Sequence, residues 1–515
     1  MKKTITLLAL CLIGTLSFAQ QAPAIQWQNC LGGTYYDQAQ SIQSTLDGGY
    51  IMAGSAASTN GDVTGNHGSN GSADAWVMKL SSSGNLQWQK CLGGTNGEVA
   101  HSIQPTPDGG YIMAGQTTSN DGDVIGYHGN FDAWVVKLSS TGSLQWQKAL
   151  GGTGYDYAQS IQPTPDGGYI MAGVNNSTNG DVTGNHNSGD AWVVKLNNTG
   201  SIQWQKSLGG TGVDEANNIQ PTPDGGYIMA GRTYSNDGDV SGKHGGYDVW
   251  IVKLSSMGSL QWQKCLGGTV DDQAKTMQST PDGGYIMAGT TNSNDGDVTG
   301  NHSANSDAWV VKLSSTGSLQ WQKCLGGTNN EEANCIQSTP DGGYTLVGFT
   351  LSIDGDVSLN HGGFDAWVVK LSSTGSMQWQ NAIGGTGSDY AYSIQPTIDG
   401  GYIVAGSASS TNGDVTGNHG NADAWVVKLG PELSTSGFVK EAIVVYPNPA
   451  KTLLTVQNNH QTPFEKIVIT DLMGKIVLTQ TTNTNQINVD PLASGMYLLE
   501  ATSGEEHLVS KFVKE

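Results

Sequence analysis

Seven polar loops carry the residue types that could hold a cation. In the second, Asp121, Asp123 and Gly126 stand at positions one, three and six, with Asp132 at twelve. An EF-hand calcium loop places two oxygen ligands, a turn-forming glycine and a last acid at the same four positions. The spacing recurs with Asn179, Asp181, Gly184 and Asp190, with Asp237, Asp239, Gly242 and Asp248, and with Asn412, Asp414, Gly417 and Asp423. The sixth loop has Asp354, Asp356 and Asp365, but Leu359 replaces the glycine. In the first and fifth the last acid, Asp74 or Asp307, comes later. Position five is Thr, Ser or Ile, the final Asp reaches less far than Glu, and no helices are expected on either side. Two readings therefore stand together: calcium in some of the loops, or Asp and Asn capping the turn's own backbone N–H groups.

The same loops each carry one histidine, from His67 to His419. A zinc site would need several of them to converge from different repeats, so each is expected to hydrogen-bond within its own repeat. An acid stands three residues after the threonine of every Gly-Gly-Thr link: Asp37, Glu98, Asp156, Asp214, Asp272, Glu331 and Asp389. These seven are expected to ring one face. Tyr35, Tyr36, Tyr155, Tyr157, Tyr390 and Tyr392 fall in the same links, where exposed rings could stack on sugars and others would pack between repeats. Arg232 and Lys243 make a basic spot in the fourth repeat, read either as solvated charge or as a contact for an anionic ligand. There is no nucleophile elbow, phosphate loop or CxxC pair, so no residue is singled out as catalytic and calcium is the one cofactor the sequence raises. Carboxylates are nevertheless numerous enough to keep a hydrolase or lyase reading open.

What positions these residues is a repeat. The Trp of a Gln-Trp-Gln motif recurs at spacings of 58 to 61 residues, from Trp27 to Trp379, and a second Trp follows Asp-Ala or Asp-Val, from Trp76 to Trp425. Together they account for all 14 tryptophans. One unit reads as four strands: SIQPT (102–106), YIMAG (111–115), AWVVKL (133–138) and SLQWQKAL (143–150). The second and third are apolar on both faces, as suits the middle of a covered sheet. The fourth alternates, as suits a half-solvated outer strand. Asp-Gly-Gly and Ser-Thr-Gly turns join the pairs. The loops with the Asp pairs and the Gly-Gly-Thr links then emerge on one face, the tight turns on the other.

Seven four-stranded units suggest a seven-bladed β-propeller. The run 189–231 is similar to the seven-bladed propeller repeat of secreted bacterial proteins, with its Ala-Trp-Val-x-Lys-Leu strand, aromatic outer strand, Leu-Gly-Gly, acid and Asp-Gly-Gly. The resemblance covers roughly residues 25 to 430 and implies a fold but no activity. By analogy with WD-repeat propellers, the recurring His would sit in an Asp–His network. The ends fit the same picture: IQWQNCL (25–31) is an outer strand with no sheet before it, and the last unit stops at AWVVKL (424–429) without one. The first strand is expected to complete the last blade and close the ring.

Residues 1–19 read as a cleavable secretory signal, with Lys2 and Lys3 before an apolar run. The propeller is assigned to 20–430, a linker to 431–442 and a small β-sandwich to 443–515, so the fold class is all-β. YPNP (446–449), DLMGK (471–475), SGMYLL (494–499) and the final KFVK make the tail similar to the type IX secretion C-terminal sorting domain. That resemblance implies handling by the type IX secretion machinery and release or anchoring at the outer-membrane surface. No later segment is long and apolar enough for a spanning helix. Cys30, Cys91, Cys265 and Cys324 share a repeat position that elsewhere holds Ala or Ser, so they read as buried small side chains and no disulfide framework is expected.

A formal net charge of −21 repels a phosphate backbone and argues against nucleic acid as a partner. The sequence thus points to a secreted or cell-surface binding or adhesion protein, non-enzymatic and monomeric, with a glycan or surface protein as ligand. A polysaccharide-active hydrolase or lyase and a structural surface protein are the alternatives.

Overall fold

The computed structural model describes residues 21–68, 71–186, 188–432, 444–457, 464–471, 475–482, 484–503 and 506–515. The expected signal segment and residues 433–442 of the expected linker lie outside them, as do residues 472–474 of the DLMGK motif. The chain divides into two compact units, Met1–Leu433 and Ser434–Glu515. Among the described residues there is no helix, and so none long and apolar enough to cross a membrane.

The first unit begins with β1 (Ile25–Leu31), followed by β2 (Asp37–Ser44), β3 (Tyr50–Ala56), β4 (Asp74–Leu80) and β5 (Leu86–Leu92). Strands β2 to β5 form one antiparallel sheet in chain order, sheet I. The pattern repeats in sheets II (98–150), III (157–208), IV (214–266), V (272–325) and VI (331–383). Sheet VII has only three strands of its own, between 389 and 429, and its fourth is β1, paired antiparallel with Asp423–Leu429.

Side chains that look incidental in sequence fix each sheet. The lysine interrupting each apolar third strand is buried, and its ammonium meets the aspartate of the Asp-Gly-Gly turn at 2.7–2.9 Å in all seven sheets, as in Lys137–Asp108. A buried ammonium needs such a partner. The third-strand tryptophan is fully buried, and its indole N–H donates to the outer-strand glutamine, Trp76 to Gln89 at 2.8 Å. The cysteine position faces that tryptophan across the strand pair, Cys91 opposite Trp76. Burial, with the charge of Asp74 and Asp37, pushes the Cys91 thiol up to about 12, which fits a packing role.

Every inner strand carries a bulge, between Ala39 and Ser41 in sheet I. The bulge drives a carbonyl against the neighbouring strand, and a Cβ on Gly54 would lie 1.9 Å from the Gln38 oxygen. This is why the fifth residue of the second strand is glycine in every repeat. Neighbouring sheets then share hydrophobic clusters. Ile51 and Val77 of sheet I pack with Met113 and Trp134 of sheet II, and Ile403 and Val426 of sheet VII pack with Met52 and Trp76 of sheet I. The outer tryptophan of one sheet lies 5.8–6.3 Å from a tyrosine of the next, including Trp27 of β1 with Tyr50 of sheet I.

The second unit has a three-stranded sheet (Val444–Tyr446, Leu453–Gln457, Gln486–Asn488) and a four-stranded one (Ile476–Gln480, Lys466–Asp471, Gly495–Ser503, Glu506–Lys514). Leu454, Val456 and Ile487 of the first share one core with Ile467, Ile469, Leu499 and Phe512 of the second. Two sheets over one core are the layers of a small sandwich.

Candidate functional site

The repeated acids do not form the exposed ring their sequence positions suggest. Asp37, Glu98, Asp156, Asp214, Asp272, Glu331 and Asp389 are all buried. The Gly-Gly-Thr link turns its backbone N–H groups inward, and the acid accepts from them: Asp37 from Gly33 N at 2.8 Å and from Ser58 N at 3.1 Å. Asp156 does the same with Gly152 and Ser177. Burial raises the pKa of Asp37 and Asp272 against the pull of these bonds. They hold the link and are not presented to solvent.

The loop acids are also engaged. Asp121 accepts from Thr95 N at 2.8 Å, and Asn179, Asp237 and Asn412 accept from Thr153, Thr211 and Thr386 N at 2.8–2.9 Å. Asp123, Asp181, Asp239 and Asp414 accept from Gly93, Gly151, Gly209 and Gly384 N at 3.2–3.3 Å. Each loop is stapled to the link that enters its own sheet. The last acids, Asp132, Asp190, Asp248 and Asp423, are buried and pair with the loop histidine, as Asp132 with His128 Nδ1 at 2.7 Å. All seven histidines make this contact within their own sheet at 2.6–2.8 Å, as expected. Among the described residues no three His, Cys, Asp or Glu side chains converge as a metal site.

With the repeated groups accounted for, the side chains that differ between repeats stand out. They gather where the inner strands begin. In sheet IV, Glu215 lies opposite Arg232, and the guanidinium makes two bonds to its carboxylate, at 2.9 and 2.7 Å. Arg232 also lies 4.4 Å over the Tyr247 ring, and Tyr247 lies 5.1 Å from Tyr234. Lys243 stands 4.7 Å over Tyr234 and donates to Gly245 O. Arg232 and Lys243 each already have an acceptor and a ring.

Tyr157 is half-buried, and burial with the charge of Glu215 pushes its phenol up to about 12. Tyr35, Tyr36 and Tyr155 are exposed, Tyr155 beside Phe131 at 5.4 Å. Tyr390 and Tyr392 are half-buried and stack at 6.1 Å, with Phe349 and Phe364 against Tyr390 at 5.3 and 5.5 Å. The structure therefore splits the six tyrosines into three exposed rings and three half-buried ones. It adds Glu215, Tyr234, Tyr247, Phe349 and Phe364, which sequence reasoning passed over. Their signal was that repeat positions beside the second-strand glycine change type where the rest of the repeat does not.

Below this rim a cavity of about 280 Å³ is lined by three side chains from each of the seven inner strands. One layer is glutamine in every sheet, from Gln43 to Gln395. The bulged layer varies: Gln40, His101, Gln159, Asn217, Lys275, Asn334 and Tyr392. Lys275 pairs with Glu332 of the next sheet at 3.2 Å. The cavity is polar and its lining holds no carboxylate.

Residues 444–515 match the family described as the secretion system C-terminal sorting domain. This tail indicates export by type IX secretion to the cell surface or the medium, and handling by that machinery. Over 197 residues, 35% of this chain, the protein is 26% identical to the regulatory protein FlaEY of Caulobacter vibrioides; that stretch is 20% of the relative's length. Among solved structures, puromycin hydrolase is similar at 11% identity, over 94% of this chain and 62% of that one, with a TM-score of 0.44. The complex of BBS1N with ARL6DN contains a chain similar at 9% identity, over 81% of this chain and 99% of that one, with a TM-score of 0.42. At these values neither likeness assigns an activity.

Proposed function

We propose that the seven sheets close into a seven-bladed β-propeller, residues 20–430, joined by a linker at 431–442 to a sorting sandwich at 443–515. The supports for closure are the pairing of β1 with sheet VII, the Trp27–Tyr50 contact, and the bond from Ile42 N of sheet I to Ser393 Oγ of sheet VII at 3.2 Å. That last bond repeats Ile103 N to Ser41 Oγ between sheets I and II.

On this scaffold the protein is a secreted or surface-held binding protein, and its ligand, a glycan or a protein, docks on the rim where the non-repeated side chains gather. The observation that carries this reading is the gathering of unlike aromatic and charged residues at one mouth of the cavity and in the bulged layer just inside it, above a layer that is glutamine in every sheet. A non-enzymatic role fits the engagement of the repeated acids by backbone N–H groups and histidines. The test is a glycan and surface-protein binding screen with the intact chain and with Tyr234→Ala. Tight binding lost in the variant, with no product formed, supports the reading. Turnover of a polysaccharide would make the protein an enzyme, and concentration-dependent self-association without a ligand would make it a coat component.

A further inference from the structure

The rim's cations are already matched. Arg232 is held by both oxygens of Glu215, Lys275 by Glu332, and Lys243 by a backbone carbonyl and the face of Tyr234. Arg232 and Lys275 are thus not left to receive a carboxylate or sulfate. The loops on the same face add exposed negative charge. Bonds from Thr211, Thr269 and Thr328 hold the carboxyls of Asp237, Asp295 and Asp354 below the usual range, so they stay ionised at neutral pH. An anionic ligand would meet like charge across the whole approach.

A cationic ligand fares little better beside the rings: of the carboxylates there, Glu215 is spent on Arg232, and Asp271, which accepts from Tyr247 N at 2.9 Å, is matched in number by Lys243. What remains is a floor of paired charges with little net field and hydrogen-bonding capacity to spare, since a carboxylate has more lone-pair sites than its partner uses. Over that floor stand exposed aromatic rings. Tyr234 is 54% exposed and tilted 54° to Tyr247, and Tyr155 is 53% exposed beside Phe131. Such rings offer flat apolar faces with a polar hydroxyl at the edge, at small entropic cost.

Resting on the binding reading above, we infer that the rim takes an uncharged saccharide, stacked on Tyr234 and hydrogen-bonded by its hydroxyls to the Arg232–Glu215 pair. Sugar rings present C–H faces to aromatics and neutral hydroxyls to charged groups, and this surface supplies both, with Arg232 and Lys243 matched in number by Glu215 and Asp271 beside the rings.

The test is calorimetric titration of the intact chain with neutral hexasaccharides of the β-glucan, xylan, mannan and chitin types, and with the acidic hexamer of galacturonate. The expected result is binding of at least one neutral hexamer, unchanged when salt is raised to about 1 M. Tyr234→Ala should weaken it by about tenfold or more, Tyr234→Phe by much less, and Leu46→Ala on the opposite turns not at all. Preferred binding of the galacturonate hexamer, or binding that fades with salt, overturns the inference. If no neutral hexamer binds but a protein does, and Tyr234→Ala abolishes that, the inference falls while the rim stands as a binding face. If no binding of any kind responds to Tyr234→Ala, both fall.

Discussion

Trp425 donates its indole N–H to the Gln28 side-chain oxygen at 2.8 Å, across 397 residues of sequence. In the other six sheets the same bond, at 2.8–2.9 Å, joins a Trp and a Gln only 13 residues apart. The first strand thus occupies in sheet VII the place that a contiguous strand occupies elsewhere, with the same partner atoms.

If β1 is an equal member of its sheet, Gln28→Ala and Gln89→Ala should cost the same, about 1 to 3 kcal/mol each, because both strand the indole donor of a buried tryptophan. Deleting residues 25–31 should cost on the order of 5 kcal/mol or more, since it uncovers Trp425 and opens a sheet edge. Chemical denaturation of the three variants measures this. A deletion variant as stable as the intact chain would mean the strand is an ornament.

The glycine within each second strand gives a sharper test of the bulge. In Gly231→Ala the new methyl would sit 1.9 Å from the Glu215 carbonyl oxygen, a backbone atom that moves only with the bulge. The expected loss is about 3 kcal/mol. Gly225, in the turn before it, has φ of +81° and open space around it, so Gly225→Ala should cost only the left-handed strain, about 1 to 2 kcal/mol. Equal losses in urea unfolding would show that the close approach does not matter.

The strands and their order could be read from the chain because apolar runs, alternation and glycine turns are local signals. The fates of the polar residues could not. Asp37 follows a threonine in a glycine-rich link, where an acid ordinarily faces water, and only the inward turn of Gly33 N explains its burial. Lys137 looks like a flaw in an apolar strand until Asp108, 29 residues earlier, reaches it. Arg232 and Glu215 meet because strand register sets them side by side, and register is the property that a one-residue slip would invert. The bulge residue Gln40 looks like any other strand residue, and its mark lies in the partner strand, at Gly54.

Stability should fall as pH rises above the acid range. Burial and the charge of Asp214 push Asp190 up to about 6, against its bonds to His186. Burial opposes the charged form of His67 and His302, but their bonds to Asp74 and Asp307 outweigh it and raise both. A raised group gives stability that is complete below its unfolded pKa and is lost as pH passes its folded one. The turn aspartates work oppositely. Burial works against ionisation of Asp47, Asp108 and Asp166, but bonds from a lysine and a threonine bring each down to about 2. Their contribution disappears as pH falls from about 4 towards 2. Melting temperature should therefore peak near pH 4 to 5 and decline from about pH 5 to 8. A midpoint that rises across that upper interval would contradict the assignment of the buried pairs.

The stapled loops bear on calcium. Asp121 and Asp123 each already accept an N–H from the link of their own sheet, and Asp132 is buried against His128. Gathering the three around one ion would draw Asp132 from the core and from His128. Melting the intact chain with calcium and with a chelator should therefore give one midpoint, and dialysis should leave no bound metal. Asp123→Ala should lower that midpoint equally in both solutions, because what it removes is the bond to Gly93 N. A loss seen only when calcium is present would return the loops to ion binding.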